Sequence, residues 1–347
     1  MSIIDSDIRK AETLPSRYYT DTSVFESVMK TFDSHWHFAA HRNQISKVQP
    51  IDNPLKEPML LTKDDNEIHC ISNVCTHRGM LVCNETSNSK MLQCPYHGRT
   101  FSLDGKFRNM PEFDSVEDFP TEADHLQHFP LAEWKGLLFN TISGGDFESF
   151  IAAVDERVGW LEIDNFVPDS SRHREYSIDS NWALYVDNYL EGFHIPFVHG
   201  DLHAVLDYDE YSTELFSGGV LQIGIANEGE PTFSLPENHP DYGRNIAAYY
   251  FWLYPGMMLN FYPWGLSVNL VIPEGVDKTR IVYHGYVDDA SKLGQGAGGD
   301  LDKVEAEDQF VVESCQKGVS SVAYERGRYS PTKETGVHHF HRILTEQ

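Results

Sequence analysis

Two histidines and two carboxylates lie close together between Asp187 and His199, in a segment whose neighbours are largely apolar. On a helix, where successive residues are about 100° apart, Asp187, Glu191 and His194 fall within roughly 60° of one another. Pro196 is predicted to end this helix, which leaves His199 on a bend from which its ring can turn back toward His194. Two imidazoles at this spacing can bind one metal ion. The alternative is an ordinary amphipathic helix whose polar face meets water.

A second group of candidate ligands consists of Cys75 and His77, followed after a 16-residue gap by Cys94 and His97. Two such pairs can hold a [2Fe–2S] cluster, with both cysteines on one iron and both histidines on the other. A glycine close behind each histidine allows the loops to approach the cluster. The alternative is a Cys2His2 zinc site, but zinc fingers usually group cysteine with cysteine, so the sequence favours the cluster.

The two cysteine–histidine motifs resemble those of Rieske proteins, and among these the oxygenase branch. Respiratory-chain Rieske proteins add a disulfide between the two loops, whereas Met80 and Tyr96 at the corresponding positions cannot form one. Cys70 and Cys83 lie nearby, and we expect them to be small buried hydrophobic residues.

The resemblance implies a second metal centre, a mononuclear Fe(II) bound by two histidines and one carboxylate. It maps the histidine ligands onto His194 and His199, and Glu191 onto the bridging carboxylate three residues before the first ligand. Glutamate at the bridge favours the choline, carnitine and glycine-betaine monooxygenases. Asp187 is expected to assist Glu191, with a buried hydrogen-bond acceptor as its alternative role, and Asn188 is a candidate for a place near the iron.

The third ligand is expected from a last long helix, in which Val304, Asp308, Val311 and Cys315 recur at steps of three or four. Asp308 then lies on the apolar stripe, where a carboxylate is costly to bury unless it is paired or bound to metal. Residues 313–329 also resemble the segment that follows the ligand aspartate in the same subgroup. The alternatives are that Asp308 belongs to an acidic first turn, or that Glu307 is the ligand.

The resemblance implies a terminal oxygenase that takes electrons from an NAD(P)H-dependent reductase, a ferredoxin or both. The electrons are expected to pass through the [2Fe–2S] cluster to the mononuclear Fe(II), which activates O2. They cross a subunit boundary, from the His97 edge of one chain through Glu191 to His194 of the next, so a head-to-tail homotrimer is implied. A Rieske electron carrier without catalytic iron is the alternative.

The expected substrate is a small organic molecule, with two options. One is hydroxylation or oxidative demethylation of a quaternary amine, and the other is oxygenation of an aromatic ring. The aromatic-rich segment 249–264 is predicted to cross the sheet around the iron, where its rings would stack on an aromatic substrate or surround a quaternary ammonium. For any single ring, a place in the core is the alternative.

The spacing of apolar and turn residues along the sequence predicts an α+β protein with three parts. Residues 1–35 form a helical segment, with a helix over 22–32, that packs on the catalytic domain. Residues 36–142 form a small all-β Rieske domain of short apolar runs. Residues 143–347 form a catalytic domain in which an antiparallel sheet, with strands over 219–226, 249–262, 265–273 and 280–287, packs on helices in a helix-grip-like arrangement. The glycine-rich stretch 294–299 is predicted to be a mobile loop.

Composition limits the partners and the location. The chain has 347 residues, of which 27 are basic and 53 acidic, giving a net charge of −26. Nucleic acid and anionic membrane are therefore poor partners. No apolar run is long enough to span a bilayer, and the first residues lack the pattern of a signal peptide, so we expect a cytoplasmic protein. Five cysteines make no even disulfide framework.

Overall fold

A computed structural model describes residues 3–65 and 67–346. The chain divides into two compact units, one of Phe32–Ser149 and the other of Met1–Thr31 together with Phe150–Gln347. None of the helices in the described residues combines the length and the apolar character needed to cross a membrane.

The smaller unit is built from short strands. They are β1 (His37–His41), β2 (Val48–Pro50), β3 (Met59–Lys63), β4 (Ile68–Ser72), β5 (Leu92–Gln93), β6 (Thr100–Phe101), β7 (Phe107–Asn109), β8 (Leu131–Trp134) and β9 (Leu137–Asn140). Over its described residues they form antiparallel three-stranded sheets in the orders β1-β9-β8, β2-β3-β4 and β5-β6-β7. The predicted small β domain is confirmed.

The core of this unit includes the two candidate cluster cysteines. Cys75 and Cys94 pack among Val48, Leu60 and Ile71. Of the other two cysteines in this unit, the predicted burial is right for Cys70 but only partly right for Cys83, whose thiol is half-buried and donates to a backbone carbonyl.

The larger unit combines helices with one sheet. Its helices are α1 (Arg17–Thr20), α2 (Thr22–Met29), α3 (Phe147–Val158, which starts in the smaller unit), α4 (Trp182–Tyr189), α5 (Ile195–Val198), α6 (Gly200–Val205), α7 (Leu301–Val319) and α8 (Thr335–Glu346). Its strands are β10 (Val167–Ile178), β11 (Ser212–Phe216), β12 (Gly219–Ile225), β13 (Ile246–Leu253), β14 (Met257–Tyr262), β15 (Gly265–Gly275) and β16 (Lys278–Val287).

These strands form a seven-stranded antiparallel sheet in the order β10-β16-β15-β14-β13-β12-β11. Strands β12 and β14 are buried along their whole length, because helices cover the sheet. Phe340 of α8 packs edge-on against both Trp182 of α4 and Trp252 of β13. The helix-on-antiparallel-sheet prediction is confirmed.

The helix predicted to run to Pro196 is wrong in its details. Helix α4 ends at Tyr189, and Pro196 lies in the first turn of the separate helix α5. Proline is tolerated there because the first N–H groups of a helix have no intrahelical acceptor. His194 and His199 therefore flank a one-turn helix at its two ends, and Glu191 lies outside α4.

Three other predicted elements need correction. The run 249–262 is two strands, β13 and β14, separated by a turn. The long helix α7 is not the last one, because α8 follows it. The predicted mobile stretch 294–299 contains a short 3-10 helix, Gly296–Gly298, that is packed rather than free. A Cβ added at Gly298 would lie 2.3 Å from Trp264 Nε1, so only glycine fits there.

Candidate functional site

The clearest candidate metal centre is formed by His194, His199 and Asp308. His199 Nε2 lies 3.1 Å from His194 Nε2 and 3.0 Å from Asp308 Oδ1, and His194 Nε2 lies 3.6 Å from the same oxygen. Two donors about 2.1 Å from a metal and at right angles to each other lie about 3.0 Å apart. The three atoms are therefore spaced as on one face of an octahedral metal ion.

Each histidine of this centre is held by a carboxylate on its other ring nitrogen. Glu191 Oε1 lies 2.7 Å from His194 Nδ1, and Glu191 Oε2 accepts the His194 backbone N–H at 3.0 Å. Glu307 Oε2 lies 2.7 Å from His199 Nδ1. A protonated Nδ1 that donates to a carboxylate leaves Nε2 as the lone-pair donor, which fixes both the tautomer and the ring orientation.

Glu307 was the second candidate for the third ligand. The structure places both Glu307 and Asp308 against His199, but at different ring nitrogens. Consecutive residues on α7 point about 100° apart, so Asp308 reaches the Nε2 face of His199 while Glu307 reaches the Nδ1 face. Asn188 of α4 lies beside the centre and donates Nδ2–H to Asp308 Oδ1 at 2.6 Å. This amide therefore holds the same carboxylate oxygen that faces the two histidine nitrogens.

The electrostatics of the centre favour a cation. Burial lowers the pKa of His199, but hydrogen bonds to Asp308 and Glu307 and their charges outweigh burial, so the net pKa is raised. Glu191 adds a third carboxylate within hydrogen-bonding distance of an imidazole. A divalent ion would offset this concentration of negative charge.

Asp187 does not contact the metal centre directly. Its Oδ2 accepts the Tyr19 hydroxyl at 2.8 Å, and its Oδ1 lies 2.7 Å from His341 Nε2. Tyr329 Oη lies 2.6 Å from the other ring nitrogen of His341. Sequence reasoning missed His341, because α8 was not predicted and no local spacing links residues 154 positions apart. Asp187 and Glu191 both line an open recess of about 430 Å³ beside His194.

The four candidate cluster ligands come from two loops with the same backbone pattern. Cys75 N–H donates to Met80 O at 2.8 Å, and Cys94 N–H donates to Arg99 O at 2.8 Å. The glycine four residues after each cysteine returns an N–H to the cysteine carbonyl. Both glycines have φ near +70°, a conformation that is strained for other residues.

The side chains of these loops pair as a [2Fe–2S] cluster requires. The Cys75 and Cys94 thiols are within hydrogen-bonding reach of each other, and the His77 and His97 rings pack edge to face with centroids 4.7 Å apart. Burial raises the pKa of Cys75, which a bound metal would reverse. His77 Nδ1 is buried with no hydrogen-bond partner among the described residues, as expected of a nitrogen that binds iron. The residues therefore fit the cluster.

A single zinc ion suits these residues less well. In the described part of the chain, three ligand atoms lie within reach of one metal ion at the His194 centre but not at the cluster loops. Cysteines on one iron and histidines on another need no common centre.

A cavity of about 100 Å³ adjoins the His194 centre. Its polar walls carry six tyrosines and four amides, namely Tyr185, Tyr189, Tyr211, Tyr250, Tyr262, Tyr283, Asn188, Gln222, Asn260 and Asn269. Lysine and arginine are absent from the walls that the described residues form. The volume accommodates roughly seven to ten water-sized groups, which suits a small organic molecule. The segment 249–264 contributes Tyr250, Asn260 and Tyr262, whereas most of its other rings are core.

Comparison with known proteins identifies the family. Residues 163–347, more than half of the chain, match the ring hydroxylating alpha subunit (catalytic domain), and residues 35–120 match the Rieske [2Fe–2S] domain. The chain belongs to the ring-hydroxylating alpha subunits, and it is the terminal oxygenase subunit of a Rieske-type system.

Two curated relatives cover nearly the whole chain. The chloroplastic choline monooxygenase of Arabidopsis thaliana is 28% identical over 361 residues, which cover 97% of this chain and 83% of that protein. The carnitine monooxygenase oxygenase subunit of Escherichia coli (strain K12) is 28% identical over 362 residues, covering 97% and 94%.

A solved structure shares the fold. It is a quaternary ammonium Rieske monooxygenase, whose structure reveals insights into carnitine oxidation by gut microbiota and inter-subunit electron transfer. It aligns with a TM-score of 0.80 at 23% identity, over 98% of this chain and 96% of that one.

Proposed function

We propose that Cys75, His77, Cys94 and His97 hold the [2Fe–2S] cluster, and that a mononuclear Fe(II) is bound by three further ligands. Those ligands are His194, His199 and Asp308, supported by the spacing of their donor atoms. When bound, the cluster supplies single electrons, and the Fe(II) supplies open coordination positions at which O2 is activated.

The proposed domain bounds are residues 1–35 for the N-terminal segment, 36–142 for the Rieske domain and 143–347 for the catalytic domain.

The chain's own residues hold this centre ready for reaction. Glu191 and Glu307 fix the two imidazoles through Nδ1, and Asn188 fixes the Asp308 carboxylate. Such outer hydrogen bonds preorganise ligands, so little reorganisation is needed when substrate arrives.

Glu191 is proposed to carry electrons to His194 from the cluster of a neighbouring subunit, at the His97 edge, in a head-to-tail homotrimer. The support is that Glu191 bonds His194 at both the ring and the backbone, and that it also lines an open recess. Asp187 lines the same recess and is proposed to assist Glu191. Its carboxylate is held in place by Tyr19 and His341. The electrons are supplied by NAD(P)H through a reductase, a ferredoxin or both, and a cytoplasmic location remains a prediction.

The proposed reaction is hydroxylation or oxidative demethylation of a quaternary amine. The observation that carries this substrate class is the tyrosine-lined cavity beside the metal ligands, because tyrosine faces attract an ammonium group without a directed hydrogen bond. Both relatives, by their names, oxidise quaternary amines. O2, NAD(P)H, a proton and R–H become R–OH, water and NAD(P)+. Hydroxylation of an N-methyl carbon gives an N-hydroxymethyl group, whose C–N bond then breaks to release formaldehyde, a proton and the tertiary amine.

A substrate screen tests this proposal. The protein, reconstituted anaerobically with ferrous iron, is supplied with NADH and a surrogate reductase. Choline, L-carnitine, gamma-butyrobetaine and glycine betaine form one compound set, and naphthalene and benzoate form the other. Substrate-dependent NADH consumption, with matched aldehyde or formaldehyde release, is expected from the amines. Turnover of the aromatic set alone would assign ring oxygenation instead.

A further inference from the structure

Glu305 is a buried acid that the proposed mechanism does not use. It lies on α7 one turn before Asp308, and its side chain is fully buried. Its Oε2 accepts the Tyr185 hydroxyl at 2.6 Å and the Tyr283 hydroxyl at 2.5 Å. Its Oε1 is buried without a hydrogen-bond partner among the described residues.

Glu305 also lacks a positively charged partner among the residues that the structure describes. Among the described residues, the charged group that acts on it is Asp308, which has the same sign. Burial raises the pKa of Glu305 to about 7, two tyrosine hydrogen bonds oppose this, and the Asp308 charge adds to it. Buried carboxylates in proteins are normally paired or metal-bound, so a compensating charge is missing.

A cation bound in the neighbouring cavity can supply the compensating positive charge. Tyr185 and Tyr283, the two residues that donate to Glu305, are part of the cavity wall. A phenol that donates a hydrogen bond to a carboxylate gains electron density on its ring, which strengthens its attraction for a cation. With no lysine or arginine in the described walls, positive charge beside these tyrosines can come from the ligand, in addition to the iron proposed at Asp308.

The cavity also contains two uncharged polar atoms that a neutral polar group of a ligand could satisfy. Gln222 Oε1 and the Tyr250 hydroxyl are buried without hydrogen-bond partners among the described residues, and both residues line the cavity. An amide oxygen accepts a hydrogen bond and a phenol donates or accepts one, so a ligand hydroxyl satisfies both. A ligand carboxylate can accept from the Tyr250 hydroxyl but has no hydrogen to offer Gln222 Oε1, and the acids Glu191 and Asp308 on the cavity wall repel it.

We infer that Glu305, acting through Tyr185 and Tyr283, is the counter-charge for the substrate's ammonium group and selects a quaternary amino alcohol over a zwitterionic amino acid. The inference rests on the proposed function and adds a specificity-determining residue to it. Glu305 does not touch the substrate, so its effect is on binding and not on iron content.

The test compares two ligands of the same shape, choline and 3,3-dimethylbutan-1-ol, in which carbon replaces nitrogen. Binding to the iron-loaded protein is measured anaerobically by titration calorimetry for wild type, E305Q and E313Q. The matched control Glu313 lies on the same helix but is partly exposed, and glutamine keeps its acceptor oxygen. E305Q is expected to weaken choline binding about tenfold and to change the neutral alcohol less than twofold, while E313Q changes neither.

A pH series on the wild type needs no variant. The groups facing Glu305 are Tyr185 of α4, Tyr283 of β16, Tyr176 of β10 and Asp308 of α7. The pKa of each tyrosine is raised, mainly by burial, so none of them ionises between pH 6 and 8. Because Glu305 becomes charged as pH rises through about 7, the preference for choline over the neutral alcohol should grow over this interval. E305Q should abolish that growth.

The outcomes separate the two proposals. An unchanged ratio of choline to alcohol affinity in E305Q, or a pH-independent ratio in wild type, overturns the role of Glu305 while leaving an amine oxygenase intact. Tighter binding of glycine betaine than of choline overturns the selection against zwitterions. Failure of wild type to bind any of these cations overturns the amine substrate and, with it, this inference.

Discussion

Replacing Glu307 separates a residue that orients a ligand from one that binds the metal. Its carboxylate lies 2.7 Å from His199 Nδ1, on the side of the ring away from Asp308. Hydrogen bonds to a charged group contribute about 1.5–3 kcal/mol and neutral ones about 0.5–1.5 kcal/mol. E307Q keeps an acceptor but loses the charge, so we expect a loss of about 1.4 kcal/mol, or tenfold, in Fe(II) affinity. E307A removes the acceptor, and about 10- to 100-fold is expected.

The assay is competition for Fe(II) with a chelator, and acid-labile sulfide serves as an internal standard for the cluster. D308A, which removes a ligand, should leave no mononuclear iron at chelator concentrations that E307Q survives. Sulfide should stay constant in all variants, because the cluster ligands lie elsewhere in the chain. Loss of iron in E307A together with its retention in D308A would reverse the two assignments and refute the reasoning.

Four further predictions follow from single contacts. E191Q should keep both metal centres but slow reoxidation of the pre-reduced cluster by O2 and substrate at least tenfold, measured in single turnover. D187A removes the carboxylate that Tyr19 and His341 share and should lower the free energy of unfolding by about 1–3 kcal/mol in urea titrations. G298A forces a Cβ into an indole and should cost about 1–3 kcal/mol in the same titrations, whereas G318A, with open space around it, should be neutral or stabilising. C75S should lose acid-labile sulfide and visible absorption together.

The parts of the site that the sequence predicts best are those set by local spacing. Cys75 and His77 share one tight loop and Cys94 and His97 another, so their proximity within each pair needs no tertiary information. His194 and His199 are held at the two ends of a single helical turn, and their Nε2 atoms are 3.1 Å apart. Even here the local structure differs from expectation, because Pro196 begins a helix instead of ending one.

The parts that could not be predicted depend on packing between distant elements. Glu307 and Asp308 are adjacent acids, and only the orientation of α7 decides which side of His199 each one reaches. The bonds of Asp187 go to Tyr19 and His341, which are distant in the sequence. The tyrosine wall of the cavity comes from α4 and from several strands, and no spacing along the chain distinguishes those rings from core rings.

The buried acid Glu305 shows the same limit. In the sequence it is one of several acids at the start of α7, which the helix dipole alone would explain. Its significance comes from two hydroxyls on α4 and β16 that meet at one oxygen, together with the absence of a basic partner in the described residues.

The most direct test of the central claim is the ratio of iron to acid-labile sulfide in protein purified without chelator and reconstituted anaerobically with ferrous iron. A chain that holds both a cluster and a mononuclear iron gives about 3:2, and D308A gives about 2:2. A wild-type ratio of about 2:2 that persists after reconstitution would contradict the account, since the chain would then carry a cluster alone.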